Sequence, residues 1–593
     1  MNKNTTATLK LDKKADLDVL QYLSGNSMST QRELAEELGY SLGAVNQSLN
    51  NLKQLGYITE DGELTLQVED IMSEFKPKKA IILAAGAGMR MVPVNRTFSK
   101  AMLEVHGEIL IERLINQLHE AGIKDIYVVV GFMKEQFEYL MDKYDIKLLV
   151  NSEYDTKNNL ASLYKARKYL KNAYIVPCDL WCEKNPFNKY ELYPWYMVKK
   201  EISNKSDIAL NRKGELVKVQ PEEIGNAMIG IAYLDDVAAE FVVDKLDDYS
   251  KNSLYDNSFW EETLYDKQKM VVLGKTDRWN IKEINTYEHL REIDSKSSQL
   301  DSDAVRLLAE IFDVNKNEIT DIKVLKAGMT NRSFEFKCKG KRYIMRIPGE
   351  GTDQMINRKQ EYQVYQAIKD LKICDDIIYM NPDNGYKVTG FIEDARNCDC
   401  ENMQEVAVCM KYLRNFHEQK LKVDHEFDIF KQIDFYEGLW NGAPSAYVDY
   451  AETKKNVLSL KKYIDSQEIE KVLTHIDANH DNFLFSKDGV RLIDWEYAGM
   501  QDPHVDIAMF AIYAMYDREQ VEELIDSYFY DGCELAIRKK IYCYIAMSGL
   551  LWSNWCEYKK QFGIEFGEYN LRQYRYAKDY YRLFKQLDDS RED

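Results

Sequence analysis

Residues 474–494 read "THIDANHDNFLFSKDGVRLID", and this stretch constrains its surroundings more than any other in the chain. Two apolar runs, "NFLF" and "VRLID", are joined by "SKDG", whose Asp-Gly pair signals a tight hairpin. Asn482 lies six residues before Asp488 and Asp494 six after it, so closing the hairpin brings both to one end. An amide oxygen and a carboxylate side by side suit a single hard divalent cation. Upstream, His475, Asp477 and Asn482 form H-x-D-x-x-x-x-N, the order of a phosphoryl-transfer loop. In such a loop the aspartate accepts the proton of an attacking hydroxyl and the asparagine holds Mg²⁺. A zinc cage is excluded, because His475 and His480 stand about 140° apart on a helix. No cysteine or third histidine lies nearby to complete a tetrahedral site.

Other parts of a phosphotransferase precede this stretch in order. "KAGMTNRSFEF" (326–336) is a strand–turn–strand in which Gly328, with Thr330 and Asn331, lets backbone amides approach phosphates. "RYIMRIPG" offers Arg346 on a strand, and Glu361 in "NRKQEYQVYQAI" opens a helix from which it can pair with Arg346. "TGFIED" suits a hinge between lobes. Near the C-terminus, "SGLLWSNWCEYKKQFG" places Trp552 and Trp555 on one helix face. Indole faces attract cations, most strongly when desolvated. Residues 297–593 thus resemble choline kinase and its aminoglycoside-phosphotransferase relatives. The resemblance implies a bilobal α+β, protein-kinase-like fold, ATP and Mg²⁺, and a Trp-x-x-Trp box for a quaternary ammonium. Tyr513 and Tyr516 are further wall candidates, and Asp506 matches a structural aspartate of that superfamily. Ala478 departs from the apolar residue that many relatives carry after the loop aspartate.

Residues 77–296 differ in character. "KAIILAAGAG", "IYVVVG" and "YIVPCD" are buried-type strands, and "GEILIERLINQLHEAG" has helical spacing. The alternation predicts a Rossmann-like α/β unit with a parallel sheet and right-handed crossovers. Ligands then sit beyond the carboxyl ends of the strands, at the Gly86 loop and Asp179. "LAAGAGMRMVPVNRTFSKAML" resembles the signature of nucleotidyltransferases acting on sugar phosphates and phosphocholine. There Leu83, Ala84, Ala85, Gly86 and Gly88 wrap the nucleotide, and Arg90 and Lys100 add positive charge at the triphosphate. The resemblance implies that Asp179 and Asn285 hold Mg²⁺. Ser99 replaces the usual proline before the lysine, and Asn285 replaces the second metal aspartate. "NSEYDTKNNLASLYKA" resembles the phosphocholine cytidylyltransferase branch, with Asn158, Asn159 and Ser162 near nucleotide or phosphate. Trp260 with Glu261 offers an aromatic face beside a carboxylate for a trimethylammonium group.

Residues 1–76 form a small helical unit. Ser29 or Thr30 caps a helix through Leu38, Gly39 stops it, a second helix runs to about Leu55, and "YITEDGELTL" reads as a hairpin. This resembles a winged helix-turn-helix. Its 7 Lys+Arg against 12 Asp+Glu leave a net charge of −5, poor equipment for phosphate neutralisation. DNA binding is therefore disfavoured against docking or dimerisation, and a homodimer stays open. The whole chain of 593 residues carries a net charge of −19, which argues against nonspecific nucleic-acid or membrane binding. The scattered 10 cysteines and the absence of an apolar N-terminal run predict a reduced, cytoplasmic protein.

Together the segments predict a bifunctional enzyme: ATP-dependent phosphorylation of choline, then CMP transfer from CTP to phosphocholine. Such a product would feed decoration of bacterial surface glycans, as the resemblance implies. Two alternatives stand beside it: the same reactions on another amino alcohol or a sugar phosphate, and a metabolite-sensing regulator with degenerate enzyme domains.

Overall fold

The computed structural model describes the chain except residues 1–8, 27–29, 87–90, 95–97, 205, 221–223, 326–330, 350–355, 562–565 and 590–593. The chain divides into two compact units, Met1–Leu307 and Leu308–Asp593.

The first unit opens with three helices: α1 (Lys14–Leu23), α2 (Gln31–Leu38) and α3 (Leu42–Gln54). Thr30 accepts the Glu33 N–H and Glu33 reaches back to the Thr30 N–H, a reciprocal cap. Gly39, at φ 72°, ends the second helix in the left-handed conformation that glycine adopts without strain. The expected two-stranded wing is reduced to one antiparallel bridge, Ile58 to Leu64. The chain then enters a short helix, Leu66–Met72, so Leu66 belongs to a helix and not to a second strand.

These helices pack onto a ten-stranded mixed sheet. Third from one edge is the strand Lys79–Ala84, parallel to Asp125–Val130 on one side and Ala173–Pro177 on the other. Ala173–Pro177 also pairs antiparallel with Gly225–Leu234. Strand alternation sends Ile82, Val176 and Met197 to one face, where they share a core with Val19, Leu20 and Leu49 of the helical unit. Ile81, Ile175 and Tyr196 face the opposite core layer.

The second unit has a five-stranded antiparallel sheet in the order 320–324, 331–338, 341–348, 387–390, 377–380. The helix Arg358–Ile368 packs beside it, followed by a larger helical lobe. There the 26-residue helix Leu535–Lys560 is buried on nearly every side, and buried polar residues on it find partners, Lys540 with Asp502 and Asn554 with the Tyr450 hydroxyl. It lies against Glu568–Asp589, and Gly549 makes the close approach possible. A Cβ at Gly549 would sit 2.6 Å from the Gln573 carbonyl oxygen.

Candidate active sites

In the second unit the catalytic-loop stretch leaves the strand Val472–Thr474 and turns through Ile476, whose φ is 71°. Asp506 fixes this turn. Its carboxylate accepts the His475 N–H at 3.0 Å and the Ile476 N–H at 2.7 Å, and lies 2.9 Å from His417 Nε2. The His475 ring is buried, which lowers its pKa to about 4 and keeps it neutral. Its Nε2 bonds the Ile493 carbonyl at 3.0 Å.

Asp477 projects from this loop and takes hydrogen bonds from Asn479 Nδ2 (3.0 Å) and Asn482 Nδ2 (3.1 Å). Burial, with Glu496 close by, pushes the Asp477 pKa up to about 7 despite these donors. The predicted hairpin forms with Phe483 opposite Leu492, and the Ile493 N–H donates to the Asn482 carbonyl at 3.0 Å. Asn482 and Asp494 therefore flank the same hairpin end. With its Nδ2 given to Asp477, Asn482 keeps Oδ1 for an ion. Asp494, at φ 66°, has its pKa raised by burial and by Glu496. Crowded carboxylates held toward the protonated form are a donor set that Mg²⁺ would relieve. Among the described residues no cluster of three or more His, Cys, Asp or Glu side chains forms a ready-made cage. A site with few protein oxygens, completed by water and phosphates, is characteristic of Mg²⁺.

Arg346 meets Glu361 in a buried two-bond pair, with Arg346 Nη2 at 2.9 Å from Glu361 Oε2. Desolvation opposes the Glu361 charge, but Arg346 overcomes it and holds the carboxyl at about 2. Sequence reading missed Arg358 and Glu496, and gave Asn331 a place at the phosphates but not its side-chain role in this network. Arg358 bridges Glu361 (3.0 Å) and Glu496 (3.1 Å), and Asn331 bonds both Glu496 and Arg358. Lys387, opposite Arg346 on the next strand, is also buried. Gly328 and Thr330 lie outside the described residues.

Trp552 and Trp555 meet with ring centroids 5.6 Å apart. Tyr513 and Tyr497 stand against Trp552 at 5.6 and 6.0 Å, and Phe566 against Trp555 at 5.2 Å. Tyr569 adjoins Tyr513 at 5.9 Å. Tyr513 lies close enough to Asp477 to bear on its charge, so this aromatic group neighbours the loop carboxylate. Tyr497, Phe566 and Tyr569 were not anticipated, since nothing in their local sequence marks them. Tyr516 is not part of the group. The helix ends at Tyr513 and Met515 is left-handed (φ 53°), which turns Tyr516 away so that its hydroxyl donates to the Cys400 carbonyl.

In the first unit, Leu83 and Ala84 end the strand Lys79–Ala84, with Ala85 and Gly86 following. Gly88 and Arg90 lie outside the described residues. Lys100 brings the two expected metal ligands together, donating from Nζ to Asp179 Oδ2 and to Asn285 Oδ1. The antiparallel pairing of Ile281–Glu283 with Leu180–Cys182 creates this proximity. The ammonium stands where two oxygens converge, so the pair fits a cation. Ser99 is buried and its N–H donates to Gln136.

Asn158 caps the helix Asn159–Ala166, and Ser162 accepts from Asn151. Asn159 accepts the Trp260 N–H at 2.8 Å, so its carboxamide anchors that segment. Trp260 is 1 % exposed and belongs to the core layer behind the sheet, not to an open aromatic face. Glu261 accepts the Tyr196 hydroxyl at 3.0 Å, while its Oε2 is buried without a partner. Burial raises the Glu261 pKa to about 7.

Three families match the chain: Choline/ethanolamine kinase over residues 322–531, MobA-like NTP transferase domain over 80–185, and Winged helix-turn-helix DNA-binding over 12–59. A choline-phosphate cytidylyltransferase of Streptococcus pneumoniae is 30% identical over 253 residues, covering 40% of this chain and 99% of that protein. Protein LicA of Haemophilus influenzae is 25% identical over 261 residues, covering 41% of this chain and 95% of that protein. The crystal structure of choline kinase LicA from Streptococcus pneumoniae aligns at 27% identity and TM-score 0.42, covering 48% of this chain and 100% of that one. The chain belongs to the choline-phosphate cytidylyltransferase family, and joins that transferase to an N-terminal winged helix-turn-helix and a choline/ethanolamine kinase domain.

Proposed function

We propose that the chain makes CDP-choline in two steps, divided among residues 1–76 (winged helix), 77–296 (transferase) and 297–593 (kinase). In the first step the choline hydroxyl attacks the γ-phosphorus of ATP, forming phosphocholine and ADP. Asp477 accepts the hydroxyl proton as the new O–P bond forms. Asn482 and Asp494 would hold Mg²⁺, which neutralises charge on the phosphates when bound. Arg346, paired to Glu361, fixes the sheet-to-helix geometry of the nucleotide lobe, and Gly328, Thr330 and Asn331 would serve the ATP phosphates. Trp552, Trp555 and Tyr513 would receive the trimethylammonium group.

In the second step a phosphocholine oxygen attacks the α-phosphorus of CTP and pyrophosphate leaves. Lys100 and Arg90 supply positive charge where negative charge develops, and Asp179 with Asn285 would hold the ion. Glu261 would neutralise the quaternary ammonium of phosphocholine, with Trp260 buttressing it from behind.

The observation that carries this reading is the placement of Asp477, a buried carboxylate held by Asn479 and Asn482, beside an aromatic group built around Trp552. No helix among the described residues is long and apolar enough to cross a membrane. We place the protein in the cytoplasm, where ATP and CTP are found. Incubation of the full chain with choline, ATP, CTP and Mg²⁺, followed by ³¹P NMR, tests the proposal. Phosphocholine should appear first and CDP-choline with pyrophosphate afterwards. ATP consumption without a choline-dependent phosphate ester would contradict it.

A further inference from the structure

The winged helix is built into the transferase unit by polar as well as apolar contacts. Tyr193 of the sheet unit and Tyr40 of the helical unit both donate to Asp18, and Lys14 pairs with the same carboxylate at 2.6 Å. Where α1 and α2 face the loop 210–214 and the segment 274–279, a cavity of 690 Å³ remains.

Two buried polar side chains line it. Gln21, 8 % exposed, donates Nε2 to Glu191 at 2.8 Å, leaving its Oε1 buried without a partner. Lys275, 7 % exposed, lies 3.4 Å from the same Glu191 and 4.2 Å from the Trp195 ring. Desolvation lowers the Lys275 pKa although Glu191 opposes it. The rim is basic: Lys13, Lys200, Arg212 and Lys213 are exposed and form no ion pair among the described residues. Seven basic and five acidic side chains line the cavity, the reverse of the balance in a chain of net charge −19. Two of those carboxylates are already engaged. Asp18 is held as described, and Asp277 accepts the backbone N–H groups of Trp279 and Ile281.

The wall also leads to the transferase site. After Trp279 the chain forms Ile281–Glu283, paired with Leu180–Cys182, and then presents Asn285 to Lys100 beside Asp179. One three-residue strand separates the cavity wall from that cluster. A bound anion that draws in Arg278 and Lys275 would thus bear on the position of Asn285.

We propose that this cavity is an effector site for a phosphorylated small molecule of nucleotide size, read jointly by the winged helix and the transferase sheet. Unpaired cations at the rim suit a phosphate, and the volume lies within the range of small-molecule pockets. Its effect on cytidylyl transfer rests on the function proposed above; its binding does not.

The test uses UMP and, separately, inorganic phosphate as probes. Binding to the full-length protein is measured by calorimetry for wild type, for Arg212→Ala/Lys213→Ala and for Asp179→Asn. UMP should bind at a site that the double variant weakens roughly ten-fold or more and that Asp179→Asn leaves intact. Occupancy should shift the KM for CTP in wild type and not in the double variant, whose unliganded rate stays unchanged. Inorganic phosphate weakened to the same extent would assign the site to the phosphate alone, and phosphate failing to bind would assign it to the ester. Equal UMP affinity in wild type and double variant, or loss of all binding in Asp179→Asn, overturns the site. Binding without any effect on KM overturns the coupling. A wild type that forms no CDP-choline defeats the proposed reaction, while the calorimetry still decides the site.

Discussion

Asp506 holds Ile476 in a left-handed conformation through a 2.7 Å bond from the Ile476 N–H to its Oδ1. The second oxygen takes the neighbouring His475 N–H, so one buried carboxylate sets the backbone from which Asp477 projects. Replacing Asp506 by Asn leaves the volume unchanged but turns one acceptor into a donor facing an N–H. A misplacement of about 1 Å at a reacting group costs roughly 10²-fold. Asp506→Asn should therefore lower kcat for choline phosphorylation by one to two orders of magnitude, on the order of that estimate. Cytidylyl transfer from supplied phosphocholine should be unaffected, as a coupled pyrophosphate assay would record.

Trp552→Ala removes the ring that joins Tyr513, Tyr497 and Trp555. A desolvated cation–π contact is worth about 2 kcal/mol, or roughly 30-fold. The kcat/KM for choline should fall by about that factor. Ethanolamine lacks the methyl groups that fill the box and should lose much less. Equal losses for both substrates would remove the box from the account.

Glu261→Gln should separate stability from function. The folded protein raises the Glu261 pKa from 4.5 to about 7. It therefore holds that proton more tightly than the unfolded chain does. The associated stability is complete below pH 4.5 and is lost as pH rises through about 7. At pH 8 the variant, which carries no charge there, should melt above wild type in calorimetry. Its KM for phosphocholine should rise, and the wild-type KM should fall with pH through about 7 while the variant's stays flat. A variant that melts lower at pH 8 would show that the carboxylate is stabilising in place.

Gly549→Ala places a methyl group 2.6 Å from the Gln573 carbonyl. Alanine is the better helix former by about 1 kcal/mol, yet a backbone oxygen on the neighbouring helix has nowhere to move. Overpacking of this kind costs about 1–3 kcal/mol. The kinase unit should lose stability to urea, and choline KM should rise because Tyr569 lies in the first turn of the displaced helix and Phe566 just before it. Unchanged stability would mean that the two helices separate freely.

Local motifs were legible in the chain. The hairpin that sets Asn482 against Asp494 follows from two short apolar runs and an Asp-Gly turn, and the cap at Thr30 and stop at Gly39 follow from residue type. Groups recruited across the fold were not. Arg358, Glu496 and Lys387 look like ordinary surface charges until the lobe buries them together, and the same holds for Glu191 and Lys275 beneath the winged helix. Phe566 and Tyr569 reach Trp555 and Tyr513 only because Gly549 admits the last helix. Tyr516, three residues from Tyr513 in the chain, stands outside the aromatic group because the helix ends at Tyr513 and Met515 is left-handed.

The central claim is that one chain carries two independent active sites acting in sequence. It is tested most directly by following ³¹P NMR of Asp477→Ala and Asp179→Ala, each supplied with choline, ATP, CTP and Mg²⁺. Asp477→Ala should form no CDP-choline until phosphocholine is added, and then form it at the wild-type rate. Asp179→Ala should accumulate phosphocholine and stop, and mixing the two variants should restore CDP-choline. Either single variant silencing both reactions, or the mixture yielding none, would contradict the account.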